Sequence, residues 1–424
     1  MKITQSKLIT IGATAVVTSL ATMFIKNFIS GEKKIRKKVP RRYGIGDPQF
    51  ERSMSQLLGP PILSGNRVTR LDNGVEIFPA MLAGIAGATK SITFETYIFS
   101  SGEMADRFSS ALAEKAREGV KVHVLIDGLG CNCVEGEALR QMKSAGVEVE
   151  VYHLRNLSRV NQRTHRKLLV IDGKMGFTGG VGIADSWMGN ADAEDHWRDT
   201  HYQVEGPVVA QLQAAFMDNW MKTHATVLHG NLYFPALEEQ GSHRCQMFKS
   251  SPMEGSESAR LMYLLSITAA EKSLRIGNAY FVPDDLVTET IIAAVRRGVI
   301  VEVLVPGPHL DSTLVRGASR HRWGRLLRNG VRIFEYQPTM YHCKNMIIDD
   351  LWVSVGSANF DNRSFRLNDE ANLNVFDREL ALVENEVFQN DMLSAREITW
   401  QEWKHRPVVE KVADVTAAMF RSQL

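Results

Sequence analysis

Two stretches of the chain carry residue types suited to phosphate chemistry. THRKLLVID (Thr164 to Asp172) and YHCKNMIID (Tyr341 to Asp349) each run histidine, one residue, lysine, four residues, aspartate. The candidate catalytic set is His165, Lys167 and Asp172 with His342, Lys344 and Asp349. The apolar residues that follow each lysine suggest a strand, on which residues two apart share a face. Each histidine then points the same way as its lysine, and Arg166 or Cys343 points the other way. An ammonium beside an imidazole holds anionic oxygens while the ring attacks or protonates. Asp172 and Asp349 sit an odd step away and read as structural members of the motif, their carboxylates accepting N–H groups of the turn that follows.

A short second strand (MGFT, WVSV) follows each motif and ends in Gly179-Gly180 or Gly356-Ser357. Bare amides there can approach phosphate oxygens, which makes Gly180 and Ser357 candidate phosphate-binding positions. Asn359 adds a donor in the second copy, where the first has Gly182. Farther on, Asp199 and Glu370 occupy matching positions. A carboxylate on the second imidazole nitrogen fixes the tautomer and stabilises the imidazolium. Two histidines allow two jobs: one forms a phosphohistidine, and the other protonates the leaving alcohol and deprotonates the acceptor. A lysine beside each histidine opposes a bound cation, so neither metal nor cofactor is expected.

The surrounding elements repeat. RRGVIVEVLVPG, from Arg296, repeats REGVKVHVLIDG, from Arg117, and WGRLLRNGVRIFEY, from Trp323, repeats LRQMKSAGVEVEVY, from Leu139. One His-x-Lys motif alone is weak evidence; two inside matching halves are not a chance pattern. Strands are expected at Val75–Ile77, Ser91–Phe99, Val120–Ile126, Val147–Tyr152 and Leu274–Phe281. Helices are expected at Met81–Ala88, Ala105–Glu118, Glu137–Ser144 and Thr288–Arg297. Strands alternating with helices predict an α/β protein with parallel-rich sheets. The duplication predicts two similar α/β/α lobes in pseudo-twofold arrangement, 43–240 and 241–424. Residues 43 to 70, rich in glycine and proline, read as linker and loop, and the joint between lobes falls near 230 to 258.

Residues 1–42 read as a membrane anchor. Leu8 to Ile25 is an uncharged run of 18 residues, about 27 Å long as a helix, near the thickness of a bilayer core. Lys26, Lys33, Lys34, Arg36, Lys37, Lys38, Arg41 and Arg42 follow it. That order places the rest of the chain on the cytoplasmic side and attracts anionic lipid; a cleaved secretory signal is the alternative. The net charge of +2 gives no global signal for nucleic acid. Cys131, Cys133, Cys245 and Cys343 form no disulfide framework. Among the other histidines, His123 and His153 read as strand residues, and His196 and His201 flank Asp199.

With its two His-x-Lys-x4-Asp motifs the sequence resembles the phospholipase D superfamily. The flanks RTHRKLLVIDGKMGFTGGVGIAD, HWRDTHYQVEGPVV and VGSANFDNRSFRLNDEANLNV are similar to its bacterial cardiolipin synthase branch. Asn345 departs from the aliphatic residue usual in the second motif. The resemblance implies phospholipase D-type lobes in an α/β/α/β/α fold, a shared site without metal, and a phosphohistidine on His165 with His342 as general acid. It also implies a phospholipid substrate, with phosphatidylglycerol expected, at an anionic bacterial inner membrane. No nucleic acid and no obligate protein partner are expected. Hydrolysis by water, transfer to another alcohol, nuclease activity and a non-catalytic membrane role are the alternatives.

Overall fold

In a computed structural model of the chain, the residues described are 12–19, 22, 35, 37–131, 136–152, 161–252 and 258–420. Runs of β-branched and aromatic residues form the strands. The first half contributes β1 (Leu63–Asp72), β2 (Ser91–Thr96), β3 (Lys121–Asp127), β4 (Glu148–Tyr152), β5 (Arg163–Thr164), β6 (Leu168–Ile171), β7 (Met175–Gly179) and β8 (Thr200–Glu205). The second contributes β9 (His243–Ser250), β10 (Ser273–Asn278), β11 (Ile300–Pro306), β12 (Arg332–Tyr336), β13 (Lys344–Ile348), β14 (Trp352–Gly356), β15 (Asn368–Phe376) and β16 (Ala395–Ile398).

Among the described residues these strands join one sheet in the order β16-β12-β11-β10-β13-β14-β15-β9-β1-β8-β7-β6-β2-β3-β4, with β5 beside β15. Leaving out β16, the order reads the same from either edge to the β9–β1 seam, where the two strands run antiparallel. A twofold relation between the halves requires that order.

Three apolar layers flank the sheet. Helices Asn73–Gly87, Glu103–Arg117 and Glu137–Ser144 cover one side of the first half through Ile77, Phe108 and Leu139. Helices Ser258–Ala269, Asp285–Arg296 and Thr313–Arg328 cover the second through Met262, Ile291 and Trp323. Between the halves, helices Val209–His224 and Arg378–Leu393 share one core, in which Leu212, Phe216 and Trp220 join Leu373 and Phe388. Burial of large side chains at about 25 cal/mol per Å² makes that central layer the main cohesion between halves.

Several expectations are corrected. The sheet is mixed: β2-β3-β4 and β10-β11-β12 are parallel, and the strands nearer the seam are antiparallel. Crossover helices link only the parallel sets, whereas the motif strands are joined by tight hairpins. Residues 43 to 70 are not a linker. Pro48 opens helix Pro48–Leu57 under an Asp47 cap, and β1 follows. The glycines and prolines at 59–61 mark one turn between them, and β1 was hidden by its polar sequence. The expected joint at 230 to 258 contains β9, half of the seam. Val75–Ile77 is helical, because Asn73–Gly87 continues through Pro79.

Residues 12–19 and 22 are helical and exposed. No helix among the described residues is long and apolar enough to cross a membrane. The rest of Leu8 to Ile25, with Lys26, Lys33, Lys34, Arg36, Cys133 and His153, lies outside the described residues. Cys131, Cys245 and Cys343 are buried.

Candidate active site

Each motif ends in the same turn. The Lys174 amide donates to the Ile171 carbonyl across Asp172 and Gly173, whose φ values are +52° and +65°. The Leu351 amide donates to Ile348 across Asp349 and Asp350, at +54° and +52°. Positive φ at both central residues is the demand of a type I′ hairpin turn, and aspartate and glycine tolerate it. The aspartate carboxylates do not cap the following turn, as the sequence suggested. Asp172 accepts the amides of Thr89, Lys90 and Ser91, and Asp349 those of Glu271, Lys272 and Ser273. Each aspartate therefore ties its turn to the start of the neighbouring strand, β2 or β10. Burial works against ionisation of Asp172, yet these donors hold it below the usual carboxylate range.

The histidines lie just before β6 and β13 rather than within them, in extended chain that enters the opposite half. The His165 amide donates to the Asp369 carbonyl at 2.9 Å, and the His342 amide to the Arg198 carbonyl at 2.7 Å. This places each imidazole against the carboxylate of the other half. His165 Nδ1 is 3.0 Å from both oxygens of Glu370, and His342 Nδ1 is 2.6 Å from Asp199 Oδ2. Burial opposes the charge on Asp199 and Glu370, but the histidines and lysines beside them keep both lower than usual. An ionised carboxylate accepts the hydrogen bond of Nδ1–H and leaves Nε2 as the reacting nitrogen.

Burial pushes His165 down to about 4 against the pull of Glu370. Burial and the Lys344 ammonium lower His342 against Asp199. Lys167 and Lys344 are buried, and each depresses the basicity of His165. Burial takes Lys167 down to about 7 and lowers Lys344 as well. A phosphate placed among these two lysines and two imidazoles favours their protonated forms and so offsets the desolvation that lowers all four. No group of three His, Cys, Asp or Glu side chains that could hold a metal is found among the described residues.

The two glycine turns differ from expectation. The Gly180 amide donates to the Thr200 carbonyl and the Ser357 amide to Ala371, so neither is bare. A Cβ at Gly180 would lie 2.3 Å from Asp199 Oδ1, so glycine there makes room for the carboxylate. The Ser357 hydroxyl donates to Glu370, as do Ser364 Oγ and Asn368 Nδ2. Asn359 is buried with an Oδ1 that has no partner among the described residues. At the matching Gly182 a Cβ would meet Ile98 at 2.8 Å.

Sequence reasoning missed the rings around the site. Tyr97 packs edge-on to His165 at 5.1 Å, with Lys167 Nζ 5.4 Å from its centroid. Trp187 and Trp197 each lie 5.2 Å from His342, and Trp187 Nε1 donates to Asp199. The available signal was position: Tyr97 follows the carboxyl end of β2, where ligands gather in α/β sheets. His196 pairs with exposed Asp192, and His123 with Tyr233, outside the site. His201 is buried against Gly179.

Behind the motifs the charges are exchanged. Arg166 is fully buried, donating to Asp218 and to the carbonyls of Ala215 and Ser250, with Asp369 at 3.8 Å. The second motif has Cys343 at that place, and the arginine sits across from it: Arg198 pairs with Asp72 and Asp391.

The chain was compared with known proteins. The family model described as "Cardiolipin synthase, PLD-like domain" matches residues 81–220 and 263–392. A cardiolipin synthase A of Pseudomonas syringae pv. syringae (strain B728a) is 37% identical over 355 residues, covering 83% of this chain and 74% of that protein. The cardiolipin synthase A of Pseudomonas fluorescens Pf-5 is 36% identical over the same shares. Among solved structures, the phosphatidylserine synthase of Haemophilus influenzae Rd KW20 matches with a TM-score of 0.69 at 15% identity, over 89% of this chain and 100% of that one. At that identity the likeness is one of fold.

Proposed function

The chain belongs to the cardiolipin synthase family of phospholipase D-like proteins, and from that membership we propose how its residues divide the work of phosphatidyl transfer. The enzyme is a phosphatidyltransferase of cardiolipin synthase type. The proposed substrates are two phosphatidylglycerols and the products cardiolipin and glycerol. His165 Nε2 attacks the phosphorus of the donor lipid. The bond from phosphorus to the glycerol headgroup oxygen breaks, and that oxygen takes a proton from His342. The hydroxyl of the second phosphatidylglycerol then gives its proton to His342 and attacks the phosphohistidine, releasing cardiolipin. Lys167, Lys344 and Asn359 hold the non-bridging oxygens. Glu370 and Asp199 hold the imidazoles, and Asp172 and Asp349 hold the hairpins.

The observation that supports these roles is the carboxylate on each ring. Asp199 lies 2.6 Å from His342 Nδ1, whereas Glu370 lies 3.0 Å from His165 Nδ1 and accepts from Ser357, Ser364 and Asn368 as well. The closer carboxylate favours the imidazolium that a general acid needs on His342, while burial keeps the His165 lone pair open for attack. A bound phosphate supplies the negative charge that restores the depressed basicity of His342.

The N-terminal run 8–25 is read as an uncleaved single span of the inner membrane, with the lobes 43–240 and 241–424 on the cytoplasmic side. In support, the basic segment after it docks on the second half: Lys38 pairs with Glu289, and Arg41 with Glu271. The deciding experiment is incubation with phosphatidylglycerol vesicles, with and without other alcohols and with an oligonucleotide, followed by product mass spectrometry. Cardiolipin with equimolar glycerol is expected and persists in EDTA. Phosphatidic acid alone, or a cleaved oligonucleotide, would overturn the proposal.

A further inference from the structure

The C-terminal helix Val408–Met419 is amphipathic the wrong way round for a soluble surface. Its inward face is Asp414, Ala417 and Ala418, packed on helix Thr313–Arg328. Ala417 fits against Gly317, and Asp414 pairs with Arg320 and Arg406. Its outward face is apolar: Val408, Val412, Val415 and Met419, at spacings of four, three and four, are exposed. Val412 is 60% and Met419 74% exposed, with Val409 and Phe420 beside them. A helix normally turns such a stripe to the core.

What covers this stripe follows from charge, size and position. Both acids of the helix are neutralised from beneath, Glu410 by Arg320 at 2.8 Å and Asp414 as above. The neighbouring exposed Lys404 is basic, and the nearby acid Glu402 is paired with Arg396. A 12-residue helix is about 18 Å long, so one face falls well short of the ~800 Å² per partner that a stable protein interface buries. It is enough for a helix lying at the headgroup–acyl boundary of an anionic bilayer. The inward face of the same helix connects to the cleft. Ala417 packs with Val282, Val315 and Tyr280. The Tyr280 hydroxyl binds Asp311, whose charge is felt by His342 and Lys344.

We propose that helix Val408–Met419 is a membrane-interface docking helix, whose valine stripe lies in the anionic lipid surface and holds the cleft mouth near Asp311 against the bilayer. The part concerning delivery of lipid to the site rests on the reading of the substrate given above. The test uses the full chain with an environment-sensitive dye on Val412→Cys, and on Ile300→Cys at the other end of β11 as control. With phosphatidylglycerol vesicles the dye at 412 shifts to the blue and is quenched by brominated acyl chains, and the dye at 300 is not. The pair Val412→Gln and Val415→Gln lowers turnover on vesicles about tenfold and leaves turnover of dispersed short-chain phosphatidylglycerol unchanged. A dye at 412 that stays in water, or one shielded without lipid in a chain that runs as a dimer, overturns the proposal. So does vesicle turnover unaffected by the glutamines. Absence of turnover on both substrate forms by the unmodified chain would defeat the substrate reading instead, and the dye shift still decides the docking.

Discussion

The two halves present one imidazole each to the cleft, and the surroundings of the two rings differ. His165 meets a carboxylate shared by three other donors, an edge-on tyrosine, and a lysine turned to its own carbonyl. His342 meets a closer carboxylate, two tryptophans and a lysine that touches its ring as well as its own carbonyl. The backbone supporting them is nearly the same in both halves: a hairpin, an aspartate tie, and a bond across to the other half. The duplicated frame supplies two equivalent places, and the side chains packed on the rings give those places different chemistry.

The sharpest way to break this comparison is to remove each ring. His165→Ala lowers turnover by about ten-thousand-fold for any substrate, because the attacking nitrogen is gone. His342→Ala lowers it comparably for glycerol as leaving group, but recovers much of the loss on a p-nitrophenyl phosphodiester, which needs no proton to depart. Steady-state rates on the two substrates measure this. An adduct trapped on residue 342 rather than 165 would invert the assignment.

Next in size is the residue between histidine and lysine. Arg166→Met takes the buried guanidinium from Asp218 and Asp369, leaving only the part-exposed Lys222 and Lys249 as cations beside them, and is expected to cost about 3 kcal/mol of stability. Cys343→Ala removes only a small buried thiol and costs about 1 kcal/mol. Denaturant midpoints compare the two, and equal losses would mean that the charge exchange behind the motifs is of no consequence.

A third test probes the part that is alike. Asp172→Ala and Asp349→Ala each remove a charged acceptor of three amides, so each should lose about 2 kcal/mol. A large difference between them would show that the halves do not share one frame.

The smallest expected effect is on pH. Lys167, lowered to about 7, loses its charge and its hold on an anionic substrate as pH rises through 7, so kcat/KM falls on that side. His165, lowered to about 4, keeps its lone pair down to that pH, which sets the acid limb. Lys167→Arg stays charged and should move the alkaline limb upward, raising relative kcat/KM at pH 8 by about tenfold.

The motif strands, the outer helices and the repeat were legible in the sequence because their signals are local: alternation, helical spacing and turn residues. The six motif residues were found the same way. The crossing of His165 to Glu370 and of His342 to Asp199 was not, since no local pattern says which half a carboxylate faces. β1 was lost because LSGNRVTRLD carries few apolar residues, being stabilised by partners on both sides. Gly180 and Ser357 were recognised as special positions for the wrong reason: they accommodate and hold the carboxylates.

The crossed contacts also set a schedule for the newly made protein. His165 precedes Glu370 by 205 residues, and Asp199 precedes His342 by 143. A ribosome delivers these groups in chain order. His165 is therefore made long before the carboxylate that orients its ring. Until β15 is synthesised and pairs with β5, the growing polypeptide holds a histidine without the partner that fixes its tautomer, so the site is completed only near the end of synthesis.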